Sequence, residues 1–137
     1  MTKPKTLAFA LMDAPFESTR VVSAIRLIQA ALEQGCHVQV FAYEGAVFLP
    51  FAAQKAHPNA FHSRSVEQEA HPLSRQWVQE LADLAQTKGL TLDWVNCGFC
   101  VDERGAEPAI AATRRGSPAD LFQFTEAAFN TLVIPTK

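Results

Sequence analysis

Much that would place a chain in a large functional class is missing from these 137 residues. No window of apolar residues approaches the length of a bilayer span. Lys and Arg number 12 against 14 Asp and Glu, a net charge of -2, so no basic excess exists to neutralise phosphates. Nucleic acid is thereby excluded as an expected partner. Cysteine is scarce and odd in number, at three, which argues against a disulfide framework and fits a reducing compartment. The apolar opening Leu7–Met12 follows Lys3 and Lys5 as a signal peptide would, but it stops at Asp13 after six residues, without a small-x-small cleavage site. The expected location is cytoplasmic, and no membrane partner is expected. Glycine is absent from 12–20 ("MDAPFESTR"), the first strand-to-helix connection, so neither a phosphate cradle nor a nucleotide or flavin cofactor is expected.

What is present is an alternation of element types. Leu7–Met12 is a short continuous apolar run, as expected of a strand covered on both faces. From Ser18, an N-cap candidate, Val21, Ala24, Ile25, Ile28, Ala31 and Leu32 recur at helical spacing, and Gly35 is placed to end that helix. His37–Tyr43 predicts a second strand, and Glu44–Ala53 a turn with at most a short helix. Gln54–Ser74 is polar and has the least ordered pattern. Pro72 suits the first turn of a helix carrying Trp77, Leu81, Leu84 and Ala85, ended by Gly89. Leu90–Val95 predicts another strand, and a short alanine-rich helix is expected near Glu107–Arg114. Ser117-Pro118-Ala119-Asp120 aligns an N-cap, an N1 proline and a capping acid ahead of Leu121, Phe124 and Ala128. Thr131–Pro135 closes the chain as a strand. Strands alternating with helices make βαβ units, and right-handed crossovers then put helices on both faces of a parallel sheet. One domain over 1–137 is expected, a three-layer α/β/α fold with a mainly parallel sheet of four or five strands.

Chemistry in an open parallel sheet gathers beyond the carboxyl ends of the strands. Cys97 stands within two residues of the end of the Leu90–Val95 strand, and Cys100 follows it in a Cys-x-x-Cys pair. Four roles fit such a pair. It can be buried packing, the usual fate of free cysteine. It can be half of a zinc site, although His57, His62 and His71, spaced by five and nine residues, match no usual ligand pair, so no metal is expected. It can be a dithiol of thioredoxin type, or one exposed thiolate of low pKa that acts as nucleophile or sulfur carrier. Arg104, Arg114 and Arg115 would favour a thiolate if folded close, while Asp102 and Glu103 oppose it. Asp13 and Glu17 are expected at the same sheet edge as Cys97. A histidine of the long loop is a candidate proton partner for Cys97 if that loop folds over the edge. Cys36 is expected to be buried, and Phe48, Phe51 and Phe61 to be either ordinary core or, if exposed, an apolar patch suited to subunit contact.

At these residues the chain resembles the DsrE/DsrF-like family, which includes the TusD sulfur-relay subunits. "NCGFCVDERG" (96–105) resembles the family's Cys-Gly-x-Cys-x-x-x-Arg-Gly signature, "FAYEGAVFLPFA" (41–52) its strand, Tyr and turn, and "SPADLFQFTEAAFNTLVIP" (117–135) its closing helix and strand. The resemblance implies a flavodoxin-like sheet, homo- or hetero-oligomers, and sulfur donor and acceptor proteins as partners. It implies sulfurtransferase activity in which one cysteine holds sulfane sulfur as a persulfide. That cysteine stands eight residues before the Arg-Gly glycine, which is Cys97, with Cys100 as a second thiol found only in some members. Two further readings are retained: a non-catalytic oligomeric binding module on the same fold, and a Cys-x-x-Cys dithiol redox protein.

Overall fold

The computed structural model describes residues 3–69 and 71–136. Five strands form a single sheet: β1 (Thr6–Leu11), β2 (His37–Ala42), β3 (Leu92–Cys97), β4 (Thr113–Gly116) and β5 (Asn130–Ile134). They are ordered β4-β3-β2-β1-β5, and every pair is parallel. The helices are α1 (Thr19–Glu33), α2 (Val66–Glu69), α3 (Ser74–Thr87), α4 (Gly98–Arg104) and α5 (Pro118–Ala127), with a 3-10 turn at Glu44–Phe48. None of the described helices is long and apolar enough to cross a membrane.

Because side chains alternate across a strand, the sheet divides the apolar residues between two cores. Phe9 and Leu11 of β1, Val38, Val40 and Ala42 of β2 and Trp94 of β3 face α1 and α3, where Val21, Ala24, Ile28, Leu32, Val78, Leu81 and Ala85 are buried. Ala8, Phe41, Val95 and Cys97 face the opposite side, against Cys100 and Val101 of α4 and Phe124 of α5. The three-layer architecture expected from sequence is therefore the one observed.

Local signals explain the boundaries. Ser18 caps α1, its hydroxyl accepting from the Arg20 N–H at 3.1 Å, and Gly35 beyond the helix takes φ +85. Leu73 precedes α3, and its N–H donates to the Gln76 side chain at 2.7 Å, so this helix starts two residues after Pro72. At α5 the Ser117 N–H donates to Asp120 Oδ2 at 2.9 Å, behind a proline at the first helical position.

Two expectations are corrected. No helix occupies Glu107–Arg114. That stretch is irregular up to Thr113, where β4 begins, and the helix after β3 is α4, ended by Gly105 at φ +65. Pro108 brings no N–H to a helical ladder. The loop carrying it is tied instead to the β2 side, with the Ala52 N–H donating to the Pro108 carbonyl at 2.8 Å and the Ile110 N–H to that of Pro50 at 2.9 Å. Secondly, β3 runs to Cys97 rather than stopping at Val95.

Candidate functional site

Cys97 is at once the last residue of β3 and the N-cap of α4, and Cys100 lies in the first turn of that helix. The two-residue shift in the strand end decides where the sulfur goes. Cys97 keeps the alternation of Asp93 and Val95 and turns inward beneath α4 and α5. It is 4% exposed and Cys100 9% exposed. The exposed thiol expected at the rim is thus replaced by a buried pair, packed among Phe41, Val47, Val95, Val101 and Phe124.

Close approach is provided by glycines. Gly116 of β4 pairs in register with Cys97. A Cβ on Gly116 would meet the Asp120 carboxylate and come within 2.5 Å of Val95 Cγ1. A Cβ on Gly98 would lie 2.7 Å from Arg115 Nε, so the guanidinium rests on the helix backbone beside the thiols.

Cys100 has a specific polar partner. The Glu44 backbone N–H donates to its Sγ at 3.1 Å. Glu44 holds a left-handed backbone, φ +51, and its neighbour Gly45 leaves no room for a side chain, a Cβ there falling 2.9 Å from Ala14 Cβ. Strained backbone of this kind persists only where surrounding structure fixes it; here an ion pair at 3.0 Å ties the Glu44 carboxylate to Arg104. Burial pushes the Cys100 thiol above its ordinary range; the Glu44 N–H pulls it down, while the Cys97 thiol, interacting with it directly, and the Glu44 carboxylate push it up. Tyr43 is raised as well, by burial first and then by the charges of Glu44 and Cys100, so its hydroxyl stays protonated beside the pair.

The arginines do not lend the thiols free positive charge. Arg104 pairs with Glu44 and Glu103, Arg114 with Asp93 and Asp120, and Arg115 with Asp102 and Glu107. Each guanidinium is matched by two carboxylates. Asp13 and Glu17 do lie at the carboxyl edge of the sheet. They line a crevice of about 420 Å³ with Ser18, Glu44, Gly45 and Arg104. Asp13 is buried and accepts from the Ser18 hydroxyl at 2.6 Å.

The loop histidines stand apart from the thiols. His57 Nδ1 faces the Pro58 carbonyl at 3.1 Å, and His71 and His62 pack edge to face with Phe16 and Phe61, ring centroids 5.5 Å and 4.8 Å apart. All three are exposed, so none serves as the proton partner considered for Cys97. Among the described residues no group of three or more His, Cys, Asp or Glu gathers as a metal site. Cys36 is half-buried against the α1 and α3 core. The phenylalanine patch is divided: Phe48 and Phe51 pack edge to face at 5.4 Å and are half-buried, whereas Phe61 stands 90% exposed. Larger apolar exposure lies on and beside α4 and α5, at Phe99, Phe122 and Phe129. Sequence reasoning overlooked Glu44, whose signal was the Tyr-Glu-Gly turn directly after β2.

Comparison with known proteins agrees with this fold. A sequence model of the DsrE/DsrF-like family matches residues 5–133. The crystal structure of the YchN protein from E. coli is similar to this chain, with a TM-score of 0.66 and 22% identity over 95% of this chain and 98% of that one. That likeness shows the fold. No curated relative matches the sequence.

Proposed function

Because the chain belongs to the DsrE/DsrF-like family, we propose that it is a sulfur-transfer protein in which Cys97 carries sulfane sulfur as a persulfide and Cys100 is its second thiol. The observation that carries the reading is the Cys97–Cys100 pair at the carboxyl end of β3, on the first turn of α4. This edge is where parallel sheets place chemistry. Loading is thiol exchange: the Cys97 thiolate attacks the terminal sulfur of a donor persulfide, and the donor thiol leaves. The cargo is covalent, so the site needs no cofactor and no tight substrate pocket. Donor and acceptor proteins, a cytoplasmic location and homo- or hetero-oligomeric assembly belong to the same proposal. Exposed Phe99, Phe122 and Phe129 support the assembly.

A second reading, a non-catalytic binding module with inert thiols, is favoured by one observation, the burial of both sulfurs. Reduced protein incubated with a low-molecular-weight persulfide separates the two. Intact-mass measurement should find the chain modified by the persulfide, with the change abolished in Cys97→Ser. A chain that stays unmodified leaves the module reading.

A further inference from the structure

Resting on the carrier role of Cys97, we infer that Cys100 is a resolving thiol that discharges the Cys97 persulfide within the same chain, releasing hydrosulfide and leaving a Cys97–Cys100 disulfide. The positions are suitable. Cys97 and Cys100 are three residues apart across the first turn of α4, where helical geometry sets Cα atoms so spaced about 5 Å apart. Disulfides form between Cα atoms about 4.4–6.8 Å apart. The two thiols share one apolar cluster.

Burial points to the same outcome. At 4% and 9% exposure the two sulfurs are covered, so a thiol from another protein reaches Cys97 only by entering their pocket. A neighbouring thiol in the same pocket has no such barrier, and its effective concentration far exceeds that of any free thiol. The product that must leave is a single small anion. Glu44 supplies the remaining part. Its N–H is held 3.1 Å from Cys100 Sγ by a left-handed backbone and by the ion pair with Arg104. That donor stabilises negative charge on Cys100 while its proton departs. An inert packing cysteine would not need it. Glu44 also lines the crevice at the sheet edge, so solvent lies across the residue that contacts Cys100.

The step balances without an outside reagent. The terminal sulfur of the Cys97 persulfide anion takes the Cys100 proton. Cys100 Sγ then attacks Cys97 Sγ, the bond between Cys97 Sγ and the terminal sulfur breaks, and the terminal sulfur leaves with the electron pair as hydrosulfide. The sulfane sulfur is reduced and the Cys100 sulfur is oxidised. A dithiol reductant returns the disulfide to two thiols for the next round.

The test mixes fully reduced chain with a low-molecular-weight persulfide, then follows intact mass and free sulfide together. Wild-type chain should lose the mass of two hydrogens and release one sulfide per chain, and dithiothreitol should reverse the mass change. Cys100→Ser and Cys100→Ala should instead gain the mass of one sulfur, stably and on Cys97, without sulfide release. Using both variants, each checked by circular dichroism, separates loss of the thiol from loss of the fold. A wild-type chain that keeps a stable added sulfur overturns the resolving role and leaves the carrier role standing. Wild-type and Cys100 variants that all stay unmodified overturn both. Stable sulfur uptake by Cys97→Ser reverses the assignment of the two cysteines and overturns the inference.

Discussion

At the scale of single residues, the decisive fact is that two sulfurs three positions apart have different surroundings. Cys97 takes its inward direction from strand alternation, since Val95 two residues earlier faces the same core. Cys100 takes its environment from Glu44, whose N–H it accepts. The raised Cys100 pKa has a measurable sign. Burial, its largest cause, disfavours the thiolate, so the native thiol remains protonated above the ordinary ionisation range of about 8.5. In a Cys36→Ser/Cys97→Ser chain, where Cys100 is the one remaining thiol, the pH midpoint of alkylation should lie higher for native than for urea-unfolded protein. The burial that drives the shift survives those substitutions. A native midpoint at or below the unfolded one would show that the Glu44 N–H outweighs burial. By linkage, the same raised pKa contributes stability that is fully present below the unfolded thiol's pKa. That stability is lost as pH rises through the native value.

At the scale of elements, long periodic segments were legible and short charged ones were not. The helical spacing from Val21 to Leu32 and the caps at Ser18 and Ser117 predict α1 and α5, because each rests on local physics written within a few residues. The four-residue strand β4 reads Thr-Arg-Arg-Gly, in which Thr113 alone favours a strand. It is a strand because β3 offers it a free edge and because Arg114 and Arg115 find carboxylates on neighbouring elements. Such partners lie 13 and 21 residues away in sequence, beyond any local window. The end of β3 failed for a related reason: the strand is extended by pairing of Asn96 with Ala42 on one side and of Asn96 and Cys97 with Arg115 and Gly116 on the other, and burial of the thiols follows from that extension.

The junction of β4 and α5 is accordingly sensitive to one carboxylate. Asp120 accepts from the Ser117 N–H at 2.9 Å and pairs with Arg114 at 3.2 Å. Asp120→Ala should destabilise the chain by on the order of 1 kcal/mol, seen as a lower urea midpoint with unchanged slope. Asp120→Asn, which retains an acceptor oxygen, should recover part of that loss. An unshifted midpoint for Asp120→Ala would mean that the cap contributes nothing to α5.

At the scale of the whole molecule, the two faces of the sheet are unequal. The side covered by α1 and α3 buries the larger core, including Trp94, Ile28 and Phe9. The side covered by α4 and α5 is thinner: α5 fully buries only Phe124, and Phe99, Phe122 and Phe129 remain 65%, 71% and 67% exposed. A short helix apolar on its outer as well as its inner surface is suited to burial between two bodies. Since the thiols lie directly under α4 and α5, contact on this face would place a neighbouring chain over the cover of the site.

The oligomeric state checks this arrangement. Wild-type protein should sediment as an assembly heavier than one 15.0 kDa chain. Phe99→Asp/Phe122→Asp should sediment as a single chain, because a carboxylate at each position leaves no favourable way to bury this surface. Both side chains lie outside the two cores, so far-ultraviolet circular dichroism should be unchanged by the substitutions. Wild-type protein that sediments as one chain at high concentration would exclude assembly. An assembly that survives both carboxylates would move the interface to another face of the sheet, away from the helices that cover Cys97 and Cys100.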